Sequence, residues 1–137
     1  MSYDLMVFET TKAPTNREEF LSWYDELTEW AEDHSYNDSS VTSPALKNWY
    51  DDMLQFFPAL NGPDGVSLEE LDTDADLASR ASDYCIARDA IYVAFAWSQA
   101  DSAYAVMKDL AEKHGLGFFD VSGGGDDILW PVRAIIV

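Results

Sequence analysis

Basic residues are what this sequence lacks most. Eight Lys and Arg stand against 26 Asp and Glu in 137 residues, which gives a formal net charge of −18 at pH 7. Proteins that bind nucleic acid neutralise its phosphates with clustered Lys and Arg, and the few bases here are scattered along the chain. An anionic membrane surface would repel the chain for the same reason. We therefore expect neither nucleic acid nor a membrane as the partner.

Other features that mark particular classes of protein are also missing. The single cysteine, Cys85, excludes an internal disulfide. The N-terminal residues contain no basic region followed by a long apolar run, so no signal peptide is predicted, and no stretch is long enough to span a membrane. We expect a cytoplasmic protein with a single domain over residues 1–137.

Apolar residues are nonetheless abundant. They make up 47% of the chain and aromatic residues 14%, so the sequence can build a core despite its charge, whereas chains that combine high charge with little apolar content remain unfolded. Self-repulsion between like charges destabilises the compact state. The acidity therefore indicates either a surface presented to a basic partner or a general means of staying in solution.

The pattern of apolar residues predicts the order strand, helix, helix, strand, strand, helix, strand and extended tail. Asn16 and Glu19 have the spacing of a capping box at the start of the first helix, and Pro44 fits the first turn of the second. Residues 61–81 are expected to form a loop with one helical turn over 68–71. The series predicts the α+β class and a ferredoxin-like sandwich, β-α-α-β-β-α-β, with an extended C-terminal segment. The predicted bounds are strands 3–8, 84–87, 90–97 and 117–121, helices 16–33, 43–57 and 99–114, and a tail 128–137.

The predicted first helix has an acidic face opposite its apolar one. At 100° per residue, four carboxylates fall on one line along it and three on the adjoining line. Like charges at these spacings destabilise a helix by a few tenths of a kcal/mol per pair, roughly, so a contact surface for a basic partner is one reading and a merely solvated face the other. The first line is Glu18, Asp25, Glu29 and Glu32, and the second is Glu19, Glu26 and Asp33.

A second acidic group lies in the predicted loop 61–81, where Glu69, Glu70, Asp72 and Asp74 are further candidates to bind a partner. Asp72 to Asp76 also opens like a calcium-binding loop. The glycine that such a loop needs at its sixth position is replaced by Leu77, and the remaining ligand positions fit poorly too. We expect no bound metal and no cofactor.

No catalytic motif is predicted. Cys85 lies in acidic surroundings that disfavour a reactive thiolate, and neither His34 nor His114 has a second ligand at metal-binding spacing. The glycine-rich run 122–125 lacks the lysine of a phosphate-binding loop. A pair of carboxylates for acid–base chemistry cannot be singled out among 26 acids. We expect a protein that is not an enzyme.

Five blocks of the sequence resemble a family of small bacterial proteins of unassigned function. The resemblance covers most of the chain and implies no catalytic residues. In being small, acidic and α+β, the chain is also similar in type to bacterial toxin-immunity proteins. The blocks are Phe20–Tyr24, Thr28–His34, Phe57–Pro63, Phe95–Ala100 and His114–Val121.

The function expected from the sequence is an acidic protein-binding inhibitor, most plausibly an immunity protein whose carboxylates cover the basic site of a toxin. Tyr36 and Trp130, predicted outside the core, are candidate aromatic anchors for such a contact. Two alternatives remain open. One is a stand-alone housekeeping or regulatory domain, dimeric through its sheet. The other is a small hydrolase or metal-dependent enzyme.

Overall fold

A computed structural model of the chain describes residues 2–60, 62–123 and 128–131. Five strands of this part form one antiparallel sheet in the order β2-β3-β1-β4-β5. The strands are β1 (Tyr3–Phe8), β2 (Asp83–Ile86), β3 (Ala90–Phe95), β4 (Gly117–Phe119) and β5 (Ile128–Leu129). The helices are α1 (Arg17–Leu27), α2 (Pro44–Met53), α3 (Leu68–Thr73), α4 (Ala75–Arg80) and α5 (Ala100–Lys113).

Strand β1 lies at the centre of the sheet and is buried on both faces. Leu5 and Val7 point into one hydrophobic cluster, whereas Met6 and Phe8 point into another. Successive side chains of a strand face opposite sides of the sheet, so a strand covered on both sides reads as an almost continuous apolar run. The run Leu-Met-Val-Phe of β1 has this pattern. The sheet accordingly lies between two layers of helix.

Helices α2 and α5 cover the first face. Ser43 caps α2, since its Oγ accepts a hydrogen bond from the Leu46 N–H at 3.2 Å, and Pro44 occupies the first turn. Trp49 is fully buried, and its indole Nε1 donates to the Met107 carbonyl of α5 at 3.5 Å. The apolar side chains of the predicted second helix thus face the core.

Helix α1 covers the opposite face. The Asn16 Oδ1 accepts from the Glu19 N–H at 3.1 Å, so the predicted N-cap is confirmed. The ring of Phe20 packs edge-on against Phe8 and Phe119, with centroid separations of 4.9 and 5.2 Å. The sheet therefore lies between α1 on one side and α2 and α5 on the other. The α+β class is confirmed, but α1 and α2, which both lie between β1 and β2 in the chain, do not share one layer.

The stretch predicted as a loop contains two short helices. The predicted helical turn at 68–71 is part of α3, which begins with a complete capping box between Ser67 and Glu70. Helix α4 was not predicted, and it begins where the Asp74 carboxylate accepts from the Leu77 N–H at 3.1 Å. Each helix is too short to be stable alone, so hydrogen-bonding caps contribute much of what holds them.

Strand β2 is an edge strand with hydrogen bonds to other segments just before its first residue and at its last residue. The Ser82 N–H donates to the Pro58 carbonyl at 2.8 Å, and the Ile86 N–H donates to the Tyr36 carbonyl at 2.7 Å. The Ser82 carbonyl in turn accepts from the Leu60 N–H at 2.9 Å. Chain segments before and after α2 thus cover the two ends of this edge.

Of the predicted tail 128–137 the structure describes residues 128–131, in which β5 extends the sheet beyond β4. The rest of the predicted glycine-rich loop and tail, residues 124–127 and 132–137, lies outside the described residues.

Candidate partner-binding surfaces

The outer face of α1 carries exposed carboxylates. Its inner side places Phe20 in the core, and the acids of the first and last turns point away from it. Glu18 and Glu19 lie in the first turn, where the helix dipole favours negative charge, and no basic residue lies in the last turn. Asp25 and Glu26 near the C-terminal end therefore face an unfavourable dipole. Four of the predicted partner-binding or adjoining acids thus share one helix.

The predicted long helix is wrong in its length, because α1 ends at Leu27. The Thr28 hydroxyl donates to the carbonyls of Tyr24 and Asp25, at 3.0 and 3.2 Å, which closes the last turn. Trp30 then adopts a left-handed conformation with φ of 53°, which a bulky side chain rarely adopts. The predicted acidic lines are therefore broken: Glu29, Glu32 and Asp33 do not continue the helix.

Trp30 is held in that conformation by aromatic contacts. Its ring packs edge-on against Tyr36 and Tyr92, with centroids 5.2 and 5.9 Å away. In the sequence, Trp30 and Ala31 continue the helical spacing of the apolar residues of α1. In the structure, Trp30 contacts Tyr36 and Tyr92 from the segment that follows the helix. Burial of aromatic surface in edge-to-face pairs offsets the cost of a left-handed residue.

Glu32 is engaged within the fold. One oxygen of its carboxylate, Oε1, accepts from the Arg88 N–H at 3.0 Å and contacts His34 Nε2 at 2.5 Å. Its own N–H donates to the Tyr36 hydroxyl at 2.7 Å. The hydrogen bond to the Ser35 carbonyl and the contact with Glu32 raise the pKa of His34. The Glu32 carboxylate therefore fixes the segment after α1 to the rest of the fold. Glu29, in the same segment, is exposed.

The acids of the second candidate group lie on α3 and α4, and two of them serve as caps. Glu70 completes the capping box of α3 and Asp74 caps α4. Asp76 pairs with Arg80, whose Nε lies 3.0 Å from its carboxylate. Glu69 and Asp72 are exposed and point to solvent. A partner would therefore meet Glu69 and Asp72 without disturbing a cap.

The predicted aromatic anchors are not the exposed ones. Tyr36 is half-buried under Trp30, and Trp130 packs against Phe8 with centroids 5.2 Å apart. The exposed large aromatic side chains of the described residues are Phe56 and Trp97, exposed by 48% and 49%. Phe56 follows α2, which ends at Met53.

Sequence reasoning missed a polar cleft of about 420 Å³ where β1 ends beside the β2–β3 turn. Lys12 and Arg88 line it together with Asp89 and Glu9, and the Ser43 hydroxyl donates to Glu9. Burial raises the pKa of Asp89, with Glu32 and Glu9 adding to the effect and Lys12 and Arg88 opposing it. The residues come from three separate segments, so no local motif signals the cleft.

Asp52 and Cys85 have surroundings that explain them without a catalytic role. Asp52 near the end of α2 contacts His114 Nε2 at 2.7 Å and Lys113 Nζ at 2.9 Å, and these hydrogen bonds lower its pKa. Burial raises the pKa of the Cys85 thiol, and Asp83 and Asp4 add to this, which favours the unreactive thiol. Among residues 2–60, 62–123 and 128–131, no three His, Cys, Asp or Glu side chains are grouped so as to hold a metal ion.

No helix in the described part of the chain has the length and apolar character that crossing a membrane requires. No protein-family model matches the chain, and neither a curated protein nor a solved structure shows significant similarity to it. The resemblance to small bacterial proteins of unassigned function therefore stays a prediction.

Proposed function

We propose that this chain is an acidic protein-binding inhibitor, most plausibly an immunity protein, and that it acts in the cytoplasm without catalysis. Its partner would be a basic protein such as a bacterial toxin, whose active site the carboxylates cover. A toxin that acts on nucleic acid needs a basic site to hold phosphates. Opposite charge on the inhibitor speeds association and selects that partner.

One observation carries the proposal: α1 keeps Asp25 and Glu26 exposed in its last turn, where no basic residue offsets them. Negative charge at the C-terminal end of a helix opposes the dipole and costs about 0.3–1 kcal/mol per residue at low salt. A residue that serves only solubility could lie on the same face one or two turns earlier without this cost. Function commonly has a cost in stability, and charge at a position that the helix dipole disfavours fits such a cost.

We also propose a ferredoxin-like origin for the sheet. The order β2-β3-β1-β4 with antiparallel neighbours supports it. On this view α1 lies on the face that a two-layer sandwich leaves open, and its acidic side becomes the outer surface there.

The test starts from the gene directly beside the one that encodes this chain, because immunity genes lie next to those of their toxins. Its product is expected to arrest the growth of a laboratory bacterial host, and co-expression of this chain is expected to restore growth. The purified pair should form a complex that weakens in about 0.5 M NaCl, where charges are screened beyond a few ångström.

Matched variants locate the contact. Asp25→Lys with Glu26→Lys is expected to weaken the complex at least tenfold. Asp109→Lys with Glu112→Lys makes the same change in net charge at exposed positions of α5 and should weaken it less. Equal losses for both pairs would show that only net charge matters and would remove α1 from the proposal.

A non-toxic neighbour, together with a dimer in light scattering, would instead favour the alternative of a stand-alone housekeeping or regulatory domain. In that case the acidity maintains solubility, and neutral substitutions on α1 leave the self-association unchanged.

A further inference from the structure

Several large apolar side chains of the described residues are exposed. Four such side chains are at least 40% exposed, and Leu68, the first residue of α3, reaches 81%. Scattered apolar residues on a surface are ordinary, but grouped ones mark sites of protein contact. The four are Phe56, Leu60, Leu68 and Trp97.

Hydrogen bonds join their segments to α3 and α4. The Arg80 guanidinium of α4 donates to the Phe56 carbonyl at 3.0 Å. The amide of Gln99, in the turn that begins at Trp97, donates to the Ser79 hydroxyl of α4 at 3.2 Å. The segment that precedes α3 is fixed where the Val66 N–H donates to the Ala59 carbonyl at 3.0 Å. The exposed side chains thus stand on backbone that is already ordered, which lowers the entropy cost of binding.

The same region is strongly acidic. Helices α3 and α4, with the residue between them, carry five exposed acids. The one base of this stretch, Arg80, is already paired with Asp76. We call the four apolar side chains together with these acids the α3–α4 surface. The five acids are Glu69, Glu70, Asp72, Asp74 and Asp76.

We propose that the α3–α4 surface is a second docking site for the partner, in addition to the carboxylates of α1, and that it receives a basic amphipathic segment. The proposal rests on the function proposed above and names the kind of partner structure recognised. Apolar side chains of the segment contact Phe56, Leu60 and Leu68, while its Lys and Arg face the surrounding carboxylates. Apolar anchors within a charged rim are the usual composition of a binding hot spot.

A second copy of this chain fits the surface poorly. An interface between identical patches would bring five acids of one copy against the same five of the other. Like charges placed face to face disfavour such a complex. An anionic membrane is disfavoured by the same charges.

The test uses a synthetic helical peptide of Lys and Leu in amphipathic order, titrated into ¹⁵N-labelled protein and followed by the backbone amide shifts. A control peptide has Ser in place of Leu and the same charge. We expect shift changes for the amides of residues 56, 60, 68–76 and 97, and at least tenfold weaker binding of the control peptide. Equal binding of both peptides, or changes centred on α1, would overturn the proposal.

Variants separate the apolar contribution from the charge. Leu68→Ser, at a position exposed enough to leave the fold intact, should weaken the Lys/Leu peptide about tenfold, as expected for one lost apolar anchor. Glu69→Gln with Asp72→Asn should weaken it several-fold. Asp109→Asn with Glu112→Gln, an equal change of charge at exposed positions of α5, should have less than a twofold effect. Full affinity of Leu68→Ser with an unchanged circular dichroism spectrum would contradict the role of Leu68 as an anchor.

Failure here differs from failure of the proposed function. If a toxin partner is found but Leu68→Ser binds it as tightly as the unaltered protein does, the docking site is wrong and the function stands. If the peptide binds as described but the neighbouring gene product is not toxic, the surface stands and the immunity role is wrong. A dimer in light scattering that Leu68→Ser abolishes would assign the surface to a second copy and overturn the proposal.

Discussion

The Glu32 carboxylate accepts a hydrogen bond from the Arg88 backbone N–H, although 56 residues separate the two in sequence. The same oxygen contacts His34. Through these bonds the segment that follows α1 is attached to the turn between β2 and β3. This contact gives Glu32 a structural role that its neighbours in the acidic stretch lack.

Replacement of Glu32 is therefore expected to destabilise the fold more than replacement of other acids nearby. Glu32→Ala removes the acceptor of the Arg88 N–H and the partner of His34, and should lower the free energy of unfolding by about 1–3 kcal/mol. Glu29→Ala removes one negative charge from an exposed position of the same segment and should change it by less than about 0.5 kcal/mol. Urea denaturation of both variants checks this, and equal effects would show that the contact contributes nothing.

The pKa of His34 gives a pH dependence with a defined sign. The bonds to the Ser35 carbonyl and to Glu32 raise its pKa above the ordinary value of 6.5, so the folded state favours the protonated ring. The stabilisation is complete below 6.5 and is lost as the pH rises through the raised pKa of the folded state. Comparison of unfolding free energies for the unaltered protein and His34→Asn, at about pH 5 and about pH 9, should show the larger difference at the lower pH.

A direct measurement of the ring supports or refutes the same point. The Cε1 proton of His34, followed by NMR, should titrate above 6.5 in the folded protein and at lower pH in Glu32→Ala. Titration at or below the ordinary value would mean that the Glu32 contact is absent in solution.

Removal of negative charge is expected to change the free energy of unfolding in opposite directions at the two ends of α1. Asp25→Asn with Glu26→Gln should raise the free energy of unfolding by about 0.5–2 kcal/mol at low salt, because the dipole disfavours those charges. Glu18→Gln with Glu19→Gln makes the same change of net charge in the first turn and should be neutral or destabilising. Thermal or urea unfolding at low and high salt measures both, and a gain of stability for each pair alike would indicate general charge repulsion instead of the dipole.

Gly117 is predicted to tolerate no side chain. A Cβ atom there would lie 2.1 Å from Cζ of Phe8, whose ring is fixed between Phe20 and Trp130. Gly117→Ala should therefore destabilise the fold by about 1–3 kcal/mol, the usual cost of overpacking. The double variant with Phe8→Leu should lose less than the sum of the two single losses, since the smaller side chain makes room. If the two single losses of stability simply add in the double variant, the added methyl group does not clash with Phe8.

Local signals in the sequence were sufficient for most strand and helix positions. The Asn16 cap, the Ser43–Pro44 start of α2 and the alternation of β3 each depend on neighbouring residues only, and the structure confirms them. The capping box of α3 was equally readable from Ser67 and Glu70. The stretch 61–81 was predicted as a loop because it is rich in acids and has few large apolar residues.

The end of α1 could not be predicted in the same way. Leu27, Trp30 and Ala31 keep helical spacing, and the competing arrangement depends on Trp30 reaching Tyr92 of β3, more than sixty positions away. The cleft beside Asp89 and the Glu32–Arg88 contact are missed for the same reason, since their residues meet only through the sheet. In the candidate surfaces, the sequence identified the acids but not the exposed apolar side chains among them.

The hydrogen bonds at the two ends of the β2 edge have a consequence for the behaviour of concentrated protein. Unpaired edge strands are templates on which further chains add by hydrogen bonding, the first step toward fibrils. At this edge an incoming chain must first displace the Pro58 and Tyr36 carbonyls from the N–H groups of Ser82 and Ile86. Pairing of a further chain along the full length of β2 therefore requires that the segments on either side of α2 first open at both ends of the strand.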